Sequence, residues 1–305
     1  YGRRTGQIKL NMFKFMDYKK FFPCNKTEDI VKYFSITDGL PFYINFIDKT
    51  KTAEENIIQN ISSPQSILYE EGEILVKEEL GDVPTYFSIL DAIASGKNKL
   101  GEIANFTGMN SHSLTGYIKK LLLIGLIKKE APIIEKITSK KGIYLLSDNF
   151  LDFWFKFIYP SKSSINEKEE LRKKLHKNYN SYLGFVFEQI AKEFLILKQP
   201  FEFVKIGRQW SRIPKVKQSY EIDLVALNED NREIGFFECK WSNLKTGESF
   251  GILNKLKQKS KFVDWNLDNR KEHFGLIAKK IQNKDELKKQ GFFAWDLDDF
   301  KERFK

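Results

Sequence analysis

The amino-acid sequence predicts a multidomain protein of the α plus α/β class. This prediction depends on three observations. Residues 1–80 contain mostly amphipathic helical segments. Residues 82–147 change to three short helices followed by strand-like segments. Residues 179–305 begin with one strong helix and continue with short apolar runs separated by helices, as in a domain with a mixed sheet. The length of 305 residues is typical of two or three domains.

The charge and the cysteines narrow the class of protein. The chain has a formal net charge of +10, divided as +5 in residues 1–178 and +5 in residues 179–305. This excess favours an anionic partner such as nucleic acid, although many Lys- and Glu-rich intracellular proteins share it. No apolar run approaches the roughly 18 residues of a membrane span, and no secretion signal is present. Cys24 and Cys239 fit neither a disulfide framework nor a zinc site, so we expect a cytoplasmic protein without a membrane segment.

The first 80 residues are expected to be a helical region. Acidic residues directly after Thr27 indicate a helix start, and the Gly-Leu-Pro sequence at residues 39–41 indicates its end. Two further amphipathic stretches cover residues 53–61 and 66–80.

Residues 82–147 are typical of a winged helix. Helical segments near residues 87–93, 100–106 and 111–121 precede a strand-like run at 126–130. Residues 133–138 and 142–146 are expected to pair as a hairpin around the turn at Ser139–Gly142. Three helices followed by a β-wing form the winged helix-turn-helix pattern.

The third helix of this region offers polar side chains that suit contact with DNA. With two lysines at the tip of the wing, the candidate nucleic-acid-binding residues are Ser111, Ser113, Thr115, Lys119, Lys120, Lys140 and Lys141. Winged helices also serve as protein-docking modules, so both interpretations stay open.

An aromatic connector and a polar segment follow at residues 148–178. Six aromatic residues between 150 and 159 indicate a helix packed between domains rather than a ligand site. Residues 161–178 are strongly charged and are expected to form a linker or a solvated helix.

The last part of the chain, residues 179–305, is expected to be an α/β domain with a mixed sheet. A helix should run from 179 to about 197, with later helices near 250–262 and 284–290. The expected strands cover residues 201–206, 221–227, 234–241, 274–277 and 292–295.

Two of these strands carry charged residues among apolar neighbours. Side chains alternate along a strand, so Glu238 and Lys240 should share one face of theirs, and Glu221, Asp223 and Val225 one face of the other. Charges in apolar strands are costly unless they are paired or bind a metal. If the strands are neighbours, Asp223, Glu238 and Lys240 meet in one pocket.

Such a set suits metal-dependent hydrolysis of phosphodiester bonds. Mg²⁺ or Mn²⁺ would take the carboxylates of Asp223 and Glu238 and the backbone carbonyl of Cys239. Lys240 would offset negative charge in the transition state, and Glu188, in an apolar helix, would add a carboxylate. A Glu-x-Lys pattern alone is more often a salt-bridged strand surface, and the interpretation therefore depends on the combination.

Four basic residues precede the Asp223 strand and are candidates for phosphate contacts. A loop containing Arg208, Arg212, Lys215 and Lys217 would clamp phosphates beside the metal, or it is a flexible, solvated loop.

The segments LGFVFEQIAKEF, EIDLVAL and FFECKWS resemble the PD-(D/E)XK nuclease superfamily, which has a restriction-endonuclease-like fold. They are most similar to the C-terminal domain of unknown function of archaeal STAND/AAA-type ATPases. ITDGLPFYINFID resembles the lid helices of that family, GIYLLSDNFLDFWFKFIYP its connector, and YGRRTGQIKL the end of its nucleotide-binding domain. The resemblance implies metal ligation by Asp223 and Glu238, a catalytic Lys240 and a helix carboxylate at Glu188. Ile222 stands where the superfamily has proline.

The resemblance covers only the later part of that ATPase architecture. No G-x-x-x-x-G-K-[ST] sequence occurs, so no nucleotide-binding site and no ATPase activity are expected from this chain alone. Arg3 and Arg4 would be remnants of an arginine-finger-like position, or plain surface residues. The start at Tyr1 is consistent with truncation, processing or a split gene.

The sequence thus predicts a metal-dependent DNA-processing nuclease with a winged-helix DNA-binding module. The alternatives are a non-catalytic DNA-binding or regulatory module, and a subunit of a separate ATPase or of a homo-oligomer.

Overall fold

A computed structural model describes residues 11–80, 83–213 and 216–301. Arg3, Arg4 and Lys215 lie outside these residues. The described residues form two sheets and twelve α-helices, which are α1 Phe15–Tyr18, α2 Thr27–Thr37, α3 Pro41–Ile44, α4 Ala53–Asn56, α5 Ile67–Glu79, α6 Val83–Ala94, α7 Leu100–Thr107, α8 Ser111–Leu123, α9 Asn149–Phe153, α10 Glu167–Lys198, α11 Thr246–Ser260 and α12 Lys284–Lys289. The strands are β1 Ile127–Glu130, β2 Ile143–Leu146, β3 Lys205–Arg212, β4 Ser219–Asn228, β5 Glu233–Leu244, β6 Lys271–Ile281 and β7 Phe293–Asp296.

The first region, through residue 80, is helical, as expected. Helix α2 buries most of its residues, and α4 begins with a capping box in which Thr52 and Glu55 satisfy each other's backbone N–H groups. Ser66 accepts a hydrogen bond from the N–H of Leu68 and so caps α5.

Three helices and a two-stranded sheet follow. Helices α6, α7 and α8 precede β1, which pairs antiparallel with β2 from Ile127–Leu146 to Glu130–Ile143. The expected strand at residues 133–138 is wrong, because this segment consists of turns. It runs along the edge of the larger sheet instead, where the N–H of Ile133 donates to the carbonyl of Arg208 at 2.9 Å.

The aromatic connector is buried between the other elements. Helix α9 continues as a π-helix over Trp154–Ile158, and Phe150, Phe153 and Phe157 are fully buried. The indole N–H of Trp154 donates to the carbonyl of Tyr69 at 3.0 Å. The connector therefore contributes to the core.

Much of the segment expected to be a linker or a solvated helix, residues 161–178, belongs to the 32-residue helix α10. Three acidic residues in its first turn interact favourably with the helix dipole. Leu171 and Leu175 are buried on its inner face, which explains why this charged segment is packed rather than solvated on all sides.

The larger sheet is mixed, as expected, with the strand order β3-β4-β5-β6-β7. The pairs β3–β4 and β4–β5 are antiparallel, and β5–β6 and β6–β7 are parallel. Helix α11 connects β5 to β6, and α12 connects β6 to β7. The strand expected at residues 201–206 lies later in the chain, at β3 Lys205–Arg212.

Each face of this sheet packs against a different layer. On the face that we call the α10 side, Phe187 and Phe194 of α10 pack against Trp241 and Trp295 with ring centroids 5.4 and 5.6 Å apart. On the other face, the α11 side, Leu253 and Leu256 of α11 are buried. The α10-side core is continuous with that of the helical regions and extends from Phe15 to Phe300.

Candidate functional site

A bulge in β4 sets the direction of Asp223. Opposite the single residue Arg208 of β3, strand β4 contributes two residues, Asp223 and Leu224. Ile222 and Val225 both lie in the α11-side core, whereas Leu224 lies in the α10-side core. Asp223 and Leu224 therefore both face the α10 side. The strict alternation expected from the sequence, with Asp223 and Val225 on one face, is wrong because one residue is inserted between them.

The pairing of β4 with β5 ends at the same position. Its last registered pair is Leu224 with Phe237, so Asp223 and Glu238 come directly beyond the paired segment. Asp223 Oδ2 accepts the backbone N–H of Cys239 at 2.8 Å. The carboxylate thus satisfies a main-chain donor of β5 where the two strands separate.

Glu238 and Lys240 reach this point from the other face. Phe237, Cys239 and Trp241 lie in the α10-side core, which confirms the expected alternation along β5 and turns Glu238 and Lys240 to the α11 side. Lys240 Nζ lies 3.2 Å from Asp223 Oδ2 and 2.8 Å from Glu238 Oε2. The structure therefore brings together the three residues that the sequence pattern selected.

A second lysine, which the sequence analysis missed, completes the cluster. Lys259 of α11 lies 2.6 Å from Glu238 Oε1, so each oxygen of this carboxylate contacts a different ammonium group. The Glu238 side chain is 5% exposed, whereas those of Lys240 and Lys259 are 37% and 34% exposed. The cations form the solvent-facing rim of a buried acid.

The pKa values of the cluster follow from burial and from these neighbours. Burial and the Glu238 charge raise the pKa of Asp223 to about 6. Burial alone would raise the pKa of Glu238, but Lys240 and Lys259 outweigh it and hold that pKa below its usual value. Burial opposes the charge of Lys240, yet Asp223 and Glu238 raise the pKa of its ammonium group.

Glu188 of α10 faces the cluster from the α10 side. Burial and the charge of Asp223 raise the pKa of Glu188 to about 8. Its Oε2 atom is buried without a hydrogen-bond partner and lies 3.7 Å from Nε of Arg208. Nε of Arg208 is likewise buried without a hydrogen-bond partner, so these two groups form an ion pair without a direct hydrogen bond.

Arg208 is not in a loop, as the sequence suggested, but in β3. Its guanidinium contacts acids from three other elements: Glu188 of α10, Glu221 of β4 and Glu130 of β1, the last at 3.6 Å. Arg208 is therefore engaged with carboxylates of the protein. Arg212 is exposed at the end of β3, and Lys217 is exposed in the following turn.

The donor set is chemically suited to a hard divalent cation. Asp223, Glu238 and Glu188 supply carboxylate oxygens, and one buried oxygen of Glu188 lacks a donor. Among residues 11–80, 83–213 and 216–301, no three His, Cys, Asp or Glu side chains converge as metal ligands. In the arrangement described, Lys240 and Lys259 neutralise the acids.

The candidate DNA-binding residues are spread over two surfaces. Ser111, Ser113, Lys119 and Lys120 are exposed on α8, and the hydroxyl of Thr115 donates to the carbonyl of Ser111. Near the turn before β2, Lys140 is exposed, whereas Lys141 forms an ion pair with Glu135 at 2.6 Å and its carbonyl accepts the indole N–H of Trp210. The turn is thus attached to β3.

Residues 154–252 match the DUF234 family, described as archaea bacterial proteins of unknown function. This region includes Glu188, Arg208, Asp223, Glu238 and Lys240, and it ends before Lys259.

One relative matches along nearly the whole chain. The uncharacterized protein MJECL04 of Methanocaldococcus jannaschii is 39% identical over 306 residues, which is 98% of this chain and 66% of that protein. The chain with its DUF234 region thus spans about two thirds of the length of this relative. The crystal structure of protein VC1899 from Vibrio cholerae matches at 13% identity over 82% of this chain and 58% of that chain, with a TM-score of 0.28. A similarity at this level does not define the fold.

No helix of the described residues is both long enough and apolar enough to span a membrane.

Proposed function

We propose that the DUF234 region and the strands after it form a restriction-endonuclease-like domain that hydrolyses phosphodiester bonds in DNA with Mg²⁺ or Mn²⁺. The observation that carries this proposal is the meeting of Asp223, Glu238 and Lys240 where β4 and β5 separate. A buried acid pair with an ammonium group held between its members suits a reaction in which negative charge increases.

Each residue of the cluster has a role in this proposal. Asp223, Glu238 and the carbonyl of Cys239 would hold the ion, with Glu188 as a further carboxylate. When bound, the cation supplies electrostatic stabilisation to the scissile phosphate. Lys240, which lies on both acids, orients the attacking water or offsets charge on the phosphate oxygens. Burial of Glu238 excludes bulk water from one side of the site.

The region from α6 to β2 would be the winged-helix module that positions DNA. Its order of three helices and two strands supports this, as do the exposed Ser111, Ser113, Lys119 and Lys120 on α8. Phosphate contacts by such residues would hold the substrate without reading its sequence.

The resemblance to archaeal STAND/AAA-type ATPases supplies a further part of the proposal. The helical first region would correspond to the lid helices of that family, beside a nucleotide-binding core. The chain would then act as a nuclease subunit beside that ATPase, or in a homo-oligomer.

The test is cleavage of labelled duplex, single-stranded and branched DNA with Mg²⁺ or Mn²⁺. We expect wild type to cut, EDTA to stop cleavage, and Asp223→Ala and Lys240→Ala to lower the rate by about 10³-fold or more. Asp230→Ala, which removes an exposed acid near the end of β4, is the matched control and should cut like wild type. Equal rates in all variants would contradict the proposal.

A non-catalytic DNA-binding or regulatory module is the second candidate. It is favoured by the lysine contacts that neutralise Glu238 on both oxygens. In that case wild type binds DNA but cuts no form of it, even when a homologous ATPase core is added. Cleavage that appears only with the ATPase core would instead identify a subunit of an ATPase-dependent nuclease.

A further inference from the structure

Glu238 contacts two ammonium groups, one at each oxygen of its carboxylate. Lys240 already contacts Glu238 Oε2 and Asp223 Oδ2, and so connects the two acids of β4 and β5. Lys259 adds a second ammonium at Glu238 Oε1, from a different element. Because an ammonium group has three donors, Lys259 retains capacity beyond this one contact.

Lys259 lies at the margin of the site, where an incoming anion would meet it. Its side chain is 34% exposed, whereas the carboxylate that it contacts is 5% exposed. Part of the Lys259 side chain therefore faces solvent while Glu238 stays buried. A metal ion can replace an accessible lysine as the partner of a buried acid. The flexible lysine side chain can then rotate toward a phosphate.

The helix that carries Lys259 is strongly basic along the same flank. Residues 249–263 contain four lysines and no acidic residue. Lys255 is exposed and lies four residues before Lys259, so the two side chains lie one above the other at about the 5.4 Å helical pitch. Lys257 lies on the opposite flank, 4.5 Å from the ring centroid of Phe292.

We propose that Lys259 binds a backbone phosphate of the DNA strand that enters the site, and that Lys255 binds a neighbouring phosphate. Glu238 is the partner of Lys259 when no DNA is bound. This inference rests on the proposed function and names the surface of α11 over which the substrate strand passes. It assigns a substrate-binding role to a residue outside the DUF234 match.

The test is DNA binding without catalysis. A fluorescein-labelled DNA oligonucleotide is titrated with full-length protein in EDTA, and the anisotropy is followed at several salt concentrations. We expect Lys259→Gln to weaken binding about three- to tenfold and to reduce the slope of log K against log salt by about one. Lys259→Arg should retain most of the affinity, because it keeps the charge.

Lys257→Gln is the matched control, since it removes one charge from the other flank of the same helix. It should leave affinity and salt slope close to those of wild type. The double variant Lys255→Gln with Lys259→Gln should lose more affinity and about two units of slope. Thermal unfolding of every variant shows that a lost affinity is not a lost fold.

The outcomes separate this inference from the proposed function. If Lys259→Gln and Lys257→Gln bind like wild type while wild type cuts DNA, the inference is wrong and the nuclease stands. If wild type cuts nothing but Lys259→Gln alone lowers affinity, the binding role stands and the catalytic proposal fails. If wild type binds no DNA, both are wrong.

Discussion

Two of the groups of acidic side chains that are packed inside the described part of the molecule are satisfied in different ways. In the helical region, Asp38 accepts the N–H groups of Gly39 and Asn149, both at 2.8 Å, and Asp148 accepts the N–H of Leu151 at 2.6 Å. At the sheet, Glu238 of β5 is held by lysine side chains, and Glu188 of α10 has an oxygen without a hydrogen-bond donor, 3.7 Å from Nε of Arg208.

The difference indicates which group is available for chemistry. Backbone N–H groups are fixed donors, so the acids of the helical region act as caps that join α2 to α9. Lysine side chains can move away, and an unpartnered oxygen can accept a new ligand. The two groups share burial and differ in the identity of their partners.

The largest expected effect comes from one substitution in each group. Glu188→Gln should lower the rate of DNA cleavage about 10²-fold, because it removes a carboxylate that faces Asp223, without loss of stability at pH 8. Asp38→Asn should lower the free energy of unfolding by roughly 1 kcal/mol and leave cleavage unchanged. Single-turnover cleavage and urea unfolding of the Glu188→Gln and Asp38→Asn proteins measure this contrast. Similar losses of activity in the two variants would contradict the distinction between the two groups of acids.

The next effect concerns Arg208, the cation that contacts acids of three other elements. Arg208→Gln leaves Glu188 without its cation, so we expect a loss of about 2 kcal/mol in the free energy of unfolding. Lys173→Gln removes an exposed ion pair with Glu169 and should cost under about 0.5 kcal/mol. Urea denaturation compares them, and equal losses would mean that the Arg208 cluster is no different from a surface pair.

A smaller effect depends on pH and on Asp148. Burial, followed by the charges of Asp38 and Asp152, raises the pKa of Asp148 to about 7. The folded state then binds more protons than the unfolded state between about pH 4 and pH 7, so this group makes stability fall as pH rises through that window. Asp148→Asn keeps an acceptor for the N–H of Leu151. It should reduce the loss of unfolding free energy between pH 5 and pH 8 by roughly 1 kcal/mol. Unfolding at pH 5 and pH 8 measures the difference, and parallel curves would contradict the assignment.

The smallest effect is expected on α8, far along the chain from both acidic groups. Lys119→Gln should weaken DNA binding about twofold if α8 contributes a phosphate contact. Lys77→Gln, an exposed lysine of α5, is the control and should have no effect. Anisotropy titrations in EDTA give both values, and identical affinities would exclude Lys119 from the interface.

Much of this arrangement followed from the sequence, because its signals are local. The segments EIDLVAL and FFECKWS lie in neighbouring strands, and α6, α7, α8, β1 and β2 lie close to where periodicity and turn residues predict them. Asp223, Glu238 and Lys240 converge as expected, since two antiparallel strands joined by a short turn pair with each other.

The errors have physical causes that a single sequence does not reveal. The bulge adds one residue to β4, and neither bulged residue, Asp223 or Leu224, is a glycine or a proline that would mark it. The sequence pattern predicts a loop at Arg208, whereas pairing with β4 makes this segment a strand. Lys259 was missed because its distance to Glu238 depends on how α11 crosses the sheet, and spacing along the chain does not encode this.

Helix α10 has a consequence for how the protein can be divided. Its first twelve residues have the charged composition of a linker, yet they belong to the same continuous helix as Glu188. Leu171 and Leu175 of this part are buried in the shared core. A fragment that starts at Tyr179 would carry a severed helix and expose apolar surface to aggregation. The same packing constrains evolution. Recombination that preserves the site has to exchange all of α10 together with the elements packed against it, so the helical regions and the larger sheet should evolve as one unit rather than as interchangeable modules.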